Sequence, residues 1–206
     1  MNKKYEITEI SHVKYPFLHR IRALRDIGDR VKTGDLGGFV ESEENLSFEK
    51  GDDAWIFDDA IACGESSVDL GSRLFGNAVV CDQAYVSQGA ALSAEARAED
   101  SAYIQGADLC GHARASGHSA ILDSRDTGKT PVLSGSCVVY GTVMGDVHVM
   151  GQTVVLDTER INNSTPDTLI INGQERSMVR DPSRDELKPH EPPEQQKKPK
   201  KRGRDR

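Results

Sequence analysis

The sequence predicts an all-β chain wound as a solenoid, and two observations predict it. The first is a pair of columns locked to a six-residue period. From Ala54, every sixth residue reads Ala54, Ala60, Ser66, Ser72, Ala78, Ala84, Ala90, Ala96, Ala102 and Asp108, nine of the ten being Ala or Ser. Two residues further on stand Ile56, Ala62, Val68, Leu74, Val80, Val86, Leu92, Ala98, Ile104 and Cys110, all apolar. Six is not a multiple of 3.6, so no helix keeps these columns aligned. A strand does, because residues two apart share a face. The second observation is Gly or Asp two residues before the small position, at Asp52, Asp58, Gly64, Gly76, Asp82, Asp100 and Gly106. Both residue types accept the backbone of a tight corner. The unit is a short strand plus a turn. One such unit cannot bury its own face, so the units must stack around a shared core.

The spans Val80-Cys-Asp-Gln-Ala84-Tyr and Val86-Ser-Gln-Gly-Ala90-Ala carry a resemblance to the hexapeptide repeat of left-handed parallel β-helices, in which three hexads make a triangular coil. The resemblance implies a left-handed parallel β-helix over residues 48–158, of five or six coils. The columns read without a slip through Cys110. They continue as Ala113/Ala115 and Ser119/Ile121, and resume at Cys137/Val139, Val147/Val149 and Thr153/Val155. Residues 123–131, DSRDTGKTP, hold no hexad and are expected to protrude as a loop.

The first 45 residues do not repeat. His19, Ile21 and Ala23 alternate with Arg20, Arg22 and Leu24 ahead of DIGDRV, which predicts a small β-hairpin cap over 1–47. Such a cap is required where a solenoid would otherwise expose its core and an open strand edge. Gly37 and Gly38 are expected to let the chain swing from cap to coil, with Glu41, Glu43 and Glu44 keeping the junction solvated. LHRIRALRDIGDRVKTGDLGGFVESEENLS is similar to the leader of uncharacterised bacterial and phage proteins that precede such a solenoid and are labelled transferases by analogy. Beyond the coils, Asn172-Gly173 between apolar flanks predicts a capping hairpin within 159–180. Residues 181–206 are Pro-, Glu- and Lys-rich and predict a disordered basic tail.

With three hexads per coil, residues eighteen apart stack, which sorts outward side chains into three walls. The first begins with Trp55, Phe57 and Phe75, to be covered by the leader, by another subunit or by a ligand. It also carries Ala91, Ser93 and Leu109. The second holds the apolar strip Ile61, Cys63, Val79 and Cys81, followed by Arg97 and Glu99. That strip is the expected oligomer interface, for a trimer by likeness to such helices. Stacked Cys63 and Cys81 are expected as free thiols, since in-register neighbours exceed the Cβ separation of a relaxed disulfide. The third wall stacks Tyr85 over Tyr103 beside Asp69, Ser87 and Gln105. It is a candidate surface for a sugar or base, or a plain cross-strand pair.

Bulk properties exclude several classes. No apolar run approaches the ~18 residues of a membrane span, and MNKKYEITEISHVKY lacks the apolar core of a secretory signal. Four cysteines without a CxxC offer no metal site and read as reduced thiols of a cytoplasmic protein. The formal net charge is −7, yet residues 197–206 carry seven Lys/Arg and one Asp; without them 19 basic and 32 acidic residues remain, a body near −13. The tail therefore attracts anions, nucleic acid included, only weakly: it has no aromatic residue to stack on bases.

For chemistry, the resemblance implies two alternatives. Many such helices are acyltransferases that use acyl-CoA and a histidine to activate the acceptor. The candidates are His112, His118 and His148, the first two lying shortly before the 123–131 loop. Arg125 and Lys129 in that loop are candidate contacts for an anionic ligand. Gly128-Lys129-Thr130 lacks the upstream glycine of a phosphate-binding loop, Asp123 standing in its place. The other alternative is a non-catalytic, cofactor-free oligomeric platform that binds a protein or small-molecule ligand. The phage-like leader suggests a host factor or a small nucleotide as its target.

Overall fold

The computed structural model describes residues 2–181; the tail expected from 181 lies outside them from residue 182 onward. It shows an all-β parallel solenoid of about seven turns. Its strands, most only two or three residues long, fall into three sheets, which are the three predicted walls. Trp55 pairs with Arg73, Ile61 with Val79 and Ser67 with Tyr85, so a spacing of eighteen does stack one coil on the next.

The inward columns behave as the period requires. Ala54 through Ala102 at steps of six are at most 1% exposed, and Ile56 through Ile104 are fully buried. The corners explain the Gly and Asp. Positions 58, 64, 70, 76, 82, 88, 94, 100 and 106 all have φ between +45° and +67°. Glycine reaches that region freely, whereas Leu70, Gln88 and Ala94 do so at a cost. The Asp corners add a second device. Asp58 accepts from Gly76 N at 2.9 Å, Asp82 from Asp100 N at 3.1 Å and Asp100 from Gly117 N at 2.8 Å. Each carboxylate thus takes the amide of the corner one coil on.

The register slips earlier than the columns suggest. Ala107 and Leu109 are fully buried, Asp108 faces water and Cys110 is half-buried. The corner after Gln105 is one residue shorter, turning at Gly106 alone, and Ala91 pairs with Asp108, only seventeen residues on. A one-residue shift exchanges the faces of a strand. The exchange puts Leu109 in the core, where Asp108 would be a buried, unpaired carboxylate. Later spacings vary more: Asp108 stacks on Val132, twenty-four residues on, across the 123–131 loop, and Val132 on His148, sixteen on. Core positions Ala113, Ala115, Ile121, Cys137, Val139, Val147 and Val149 are nonetheless fully buried.

The leader is more than a hairpin. Strands β1 (Tyr5–Ser11), β2 (His19–Ala23) and β3 (Leu36–Val40) run antiparallel, and β3 then pairs in parallel with Ile61–Ala62 as the first rung of the second wall. The parallel ladder therefore starts before residue 48, and at the other end it continues to Thr168–Asn172. Gly37 and Gly38 lie within β3 and do not act as a swivel. A Cβ on Gly37 would stand 2.7 Å from Ile21 Cγ1 and 2.8 Å from Trp55 Cζ2; one on Gly38 would meet the Ala60 carbonyl oxygen. Glycine is required here because backbone packs directly on the first coil. The leader seals that end: Tyr5 sets its ring edge-on to Trp55 at 6.3 Å, and Trp55 is 1% exposed. Phe57 and Phe75 stack 4.7 Å apart and stay half-buried. Lys4 is also buried, donating to Ser47 O at 2.6 Å, and desolvation pushes its amine down to about 8 despite nearby Asp52.

At the far end Thr168–Asn172 turns back into Glu175–Val179 through Gly173 and Gln174. Gly173, at φ +62°, is the first loop residue of the hairpin that Asn172-Gly173 signals. Among the described residues, no helix is long and apolar enough to cross a membrane.

Candidate functional site

The second wall carries the most developed surface. Its outward column reads Phe39, Ile61, Val79, Arg97, Arg114, Val138 and Val154, one residue per rung. The loop between β1 and β2 folds over the first of these rungs. His12 N donates to Leu18 O and Leu18 N to Tyr15 O, both at 2.9 Å, and His12 Nδ1 accepts from the amides of Lys14 and Tyr15 at 3.2 Å. The His12 ring stacks on Tyr15 at 5.2 Å and meets the Phe39 ring edge-on at 4.8 Å. Beneath it, Leu18, Phe39 and Ile61 form a buried cluster against which Cys63 and Val79 pack. Arg20 locks the leader down: its guanidinium lies 4.2 Å over the Phe39 ring and bonds Gly37 O, Asp58 O and Asp59.

Where the loop ends, a groove of ≈520 Å³ opens. His12, Lys14 and Tyr15 form one bank, with Ile61 and Val79 at its foot. Arg97, Arg114, Glu95 and His112 line the other side. Glu99 is the anchor of that side: only 13% of its side chain is exposed, it accepts from Arg97 Nε at 3.3 Å, and it also bonds Arg114 Nη2. That bond holds the Arg114 guanidinium above its ordinary value. His112 Nδ1 lies 3.1 Å from Glu95 Oε2. One groove therefore gathers two guanidiniums, an ammonium, two imidazoles, the carboxylates of Asp59 and Glu95 and an aromatic face. Its size is that of a small-molecule site.

The residues singled out from sequence are dispersed by comparison. His112 is in the groove. His118 sits at the next corner, between the second and third walls, in a separate depression with Tyr140 and Leu156. His148 is on the first wall, its Nε2 3.7 Å from Asp146. The 123–131 loop joins the third wall to the first, so neither His112 nor His118 shares its corner. Arg125 is exposed at the tip of that loop. Lys129 is held within the chain, 3.4 Å from Asp146 and 3.5 Å from Asp181.

Tyr85 and Tyr103 stack as their spacing requires, rings 5.5 Å apart at 9°. Their hydroxyls are committed, Tyr85 donating to Asp69 at 2.6 Å and Tyr103 to Gln105 at 2.8 Å. Of the apolar strip, Ile61 is 8% exposed beneath the leader, and Val79 and Cys63 are half-buried. All four cysteines are free. Burial raises the Cys63 thiol, and burial together with Asp82 pushes Cys81 up to about 12, so both stay protonated at neutral pH.

His12, Lys14, Tyr15, Glu95 and Arg114 were not legible as site residues. The signal for Arg114 is its place one coil after Arg97, seventeen residues on, which becomes readable once the slip at Gly106 is located. Nothing in the periodicity says where the 12–18 loop lands. Comparison with protein-family models and with curated proteins finds no match for this chain.

Proposed function

We propose that the solenoid is a non-catalytic binding platform whose ligand site is the groove between the leader loop and the Arg97–Arg114 rungs. The observation that carries this reading is the convergence of His12, Lys14, Arg97, His112 and Arg114 on one groove beside the exposed face of Tyr15. Guanidiniums suit phosphate oxygens, and an aromatic face suits a base. A small nucleotide combines both, and the leader's likeness to phage-borne proteins fits sequestration of such a ligand from a host. The test is native mass spectrometry of the purified protein, followed by thermal shift with mono- and oligonucleotides. Expected are a nucleotide-sized adduct and a melting temperature raised by several degrees, both lost in Arg97→Ala/Arg114→Ala. Absence of an adduct together with no shift for any nucleotide refutes the reading.

The His112–Glu95 contact favours one second reading, acyl transfer from an acyl-CoA with His112 as the base and Glu95 orienting it. Stabilisation by acetyl-CoA that His112→Ala abolishes and His118→Ala leaves intact would replace the first reading with this one.

A further inference from the structure

We infer that His12 is the positioning residue of the leader loop, and that its neutral imidazole makes this bank of the groove a lid that acid opens. The inference stands on the geometry of the loop and does not rest on the ligand reading.

The loop between β1 and β2 is held at its two ends. Between them its apolar side chains face water, Val13 being 97% exposed and Phe17 54%, and Pro16 has no N–H to donate. The backbone contributes His12 N to Leu18 O and Leu18 N to Tyr15 O, both at 2.9 Å, and Leu18 is the buried anchor of the far end. One ring anchors the near end. His12 is half-buried, edge-on to Phe39 at 4.8 Å and stacked on Tyr15 at 5.2 Å. Its Nδ1 accepts from Lys14 N and from Tyr15 N, each at 3.2 Å.

Those two bonds fix where the proton sits. Nδ1 accepts only while its lone pair is free, so the neutral ring carries its proton on Nε2. A second proton has one place to go, Nδ1, and there it meets two N–H groups already aimed at that atom. Protonation therefore removes both bonds and sets three donors against one another. The ionisable groups around the ring do not relieve this. Glu9 lies on β1 and Lys14 on the loop itself. On β2, His19 pairs with Ser11, and Arg20 lies 4.2 Å over the Phe39 ring that His12 also touches. Cys63 packs on the cluster beneath. Along the groove Asp59 is bonded by Arg20, Glu95 contacts His112, and Arg97 and Arg114 share Glu99. None of them can give Nδ1 a new acceptor, because the two backbone amides occupy its approach.

Opening the loop therefore takes up one proton. Across the ordinary histidine value of ~6.5, its equilibrium constant grows about tenfold between pH 7.5 and 5.5. The Lys14 ammonium and the Tyr15 ring leave with the loop, so acid dismantles one bank of the groove.

Amide exchange read by NMR on the full chain tests the lid with no ligand present. Expected are the Nε2–H tautomer of His12 at pH 7.5 and protection at Lys14 and Tyr15 that falls about tenfold by pH 5.5. Protection at Val79, whose amide belongs to the coil ladder, should stay unchanged. His12→Asn keeps an acceptor oxygen for the amides two and three residues on but does not titrate, so it should retain the protection and lose its pH dependence. His12→Phe keeps a ring without an acceptor, so both amides should lose protection at either pH while the melting temperature stays within a few degrees. An Nδ1–H tautomer, protection in the parent that ignores pH, the parent's pH response persisting in His12→Asn, or full protection in His12→Phe would each overturn the inference.

Discussion

The two halves of the solenoid reach one architecture by different means. From Ala54 to Gln105 the chain counts: eighteen residues per coil, a left-handed corner every sixth residue and a leader sealing the end. From Gly106 onward it keeps the ladder but not the count, with spacings of sixteen, seventeen, twenty-four and twenty-two between stacked residues. That half ends at a hairpin beside an apolar groove of ≈400 Å³ floored by Val155, Ile161 and Ile171. The lesson is that the solenoid requires aliphatic side chains to stack inside and a left-handed residue at most corners. The number of residues between corners is free, because surplus chain leaves as a loop.

The strongest way to break this comparison is to cut the core in each half. Leu92 and Leu133 are both fully buried, one on each side of the slip. If stacking alone matters, Leu92→Ala and Leu133→Ala should each cost about 3 kcal/mol in denaturant unfolding and agree to within about 1 kcal/mol. A cost below about 1 kcal/mol for Leu133→Ala alone would mean that the irregular half is loosely attached.

Much of this was legible in the sequence, for a physical reason. A strand's side-chain period of two and a six-residue turn unit put the same chemistry at the same number, so the Ala/Ser and aliphatic columns, the tyrosine stack and the 123–131 loop could be read directly. The slip was misplaced by one hexad because Cys110 is apolar enough to sit in either face. The polarity exchange between Asp108 and Leu109 is the sign that settles it. The roles of Gly37 and Gly38 were misread because what demands glycine there, Trp55, Ile21 and the Ala60 carbonyl, is distant in sequence. The groove escaped for the same reason: it exists only where a non-repeating loop lands on a repeating wall.

The sealed end sharpens the contrast between the halves. Lys4 is buried within the leader and its amine is lowered to about 8, desolvation being the main cause. Between pH 8 and about 10.5 the unfolded chain holds the proton that the folded chain has lost, so the unfolded state binds more protons and stability rises with pH. Below pH 8 both states are protonated and the full cost of burying the charge remains. Relative to Lys4→Met, the parent should therefore gain up to about 3 kcal/mol between pH 7.5 and 10.5. Chemical denaturation of both proteins across that range reads it, and parallel curves would show that the ammonium is hydrated. Among the described residues no other lysine is buried, so the hairpin end has no counterpart to this amine.

The smallest effect tests the corner rule that both halves share. Ala94 adopts φ +59° in the counting half, where its Cβ is strained. Gly111 adopts φ +69° just past the slip, where an added Cβ would stand 3.0 Å from Gly135 O. Removing a left-handed Cβ relieves about 1–2 kcal/mol, part of which glycine returns as backbone entropy in the unfolded chain. Ala94→Gly should thus stabilise by about 0.5–1 kcal/mol, raising the melting temperature by roughly 2 °C. Gly111→Ala should destabilise by about 1–2 kcal/mol, because it adds both the torsional cost and the contact with the next coil. Opposite signs at two corners with nearly the same φ would show one backbone rule running through the whole ladder; a destabilising Ala94→Gly would show that the Ala94 methyl contributes packing that outweighs its strain.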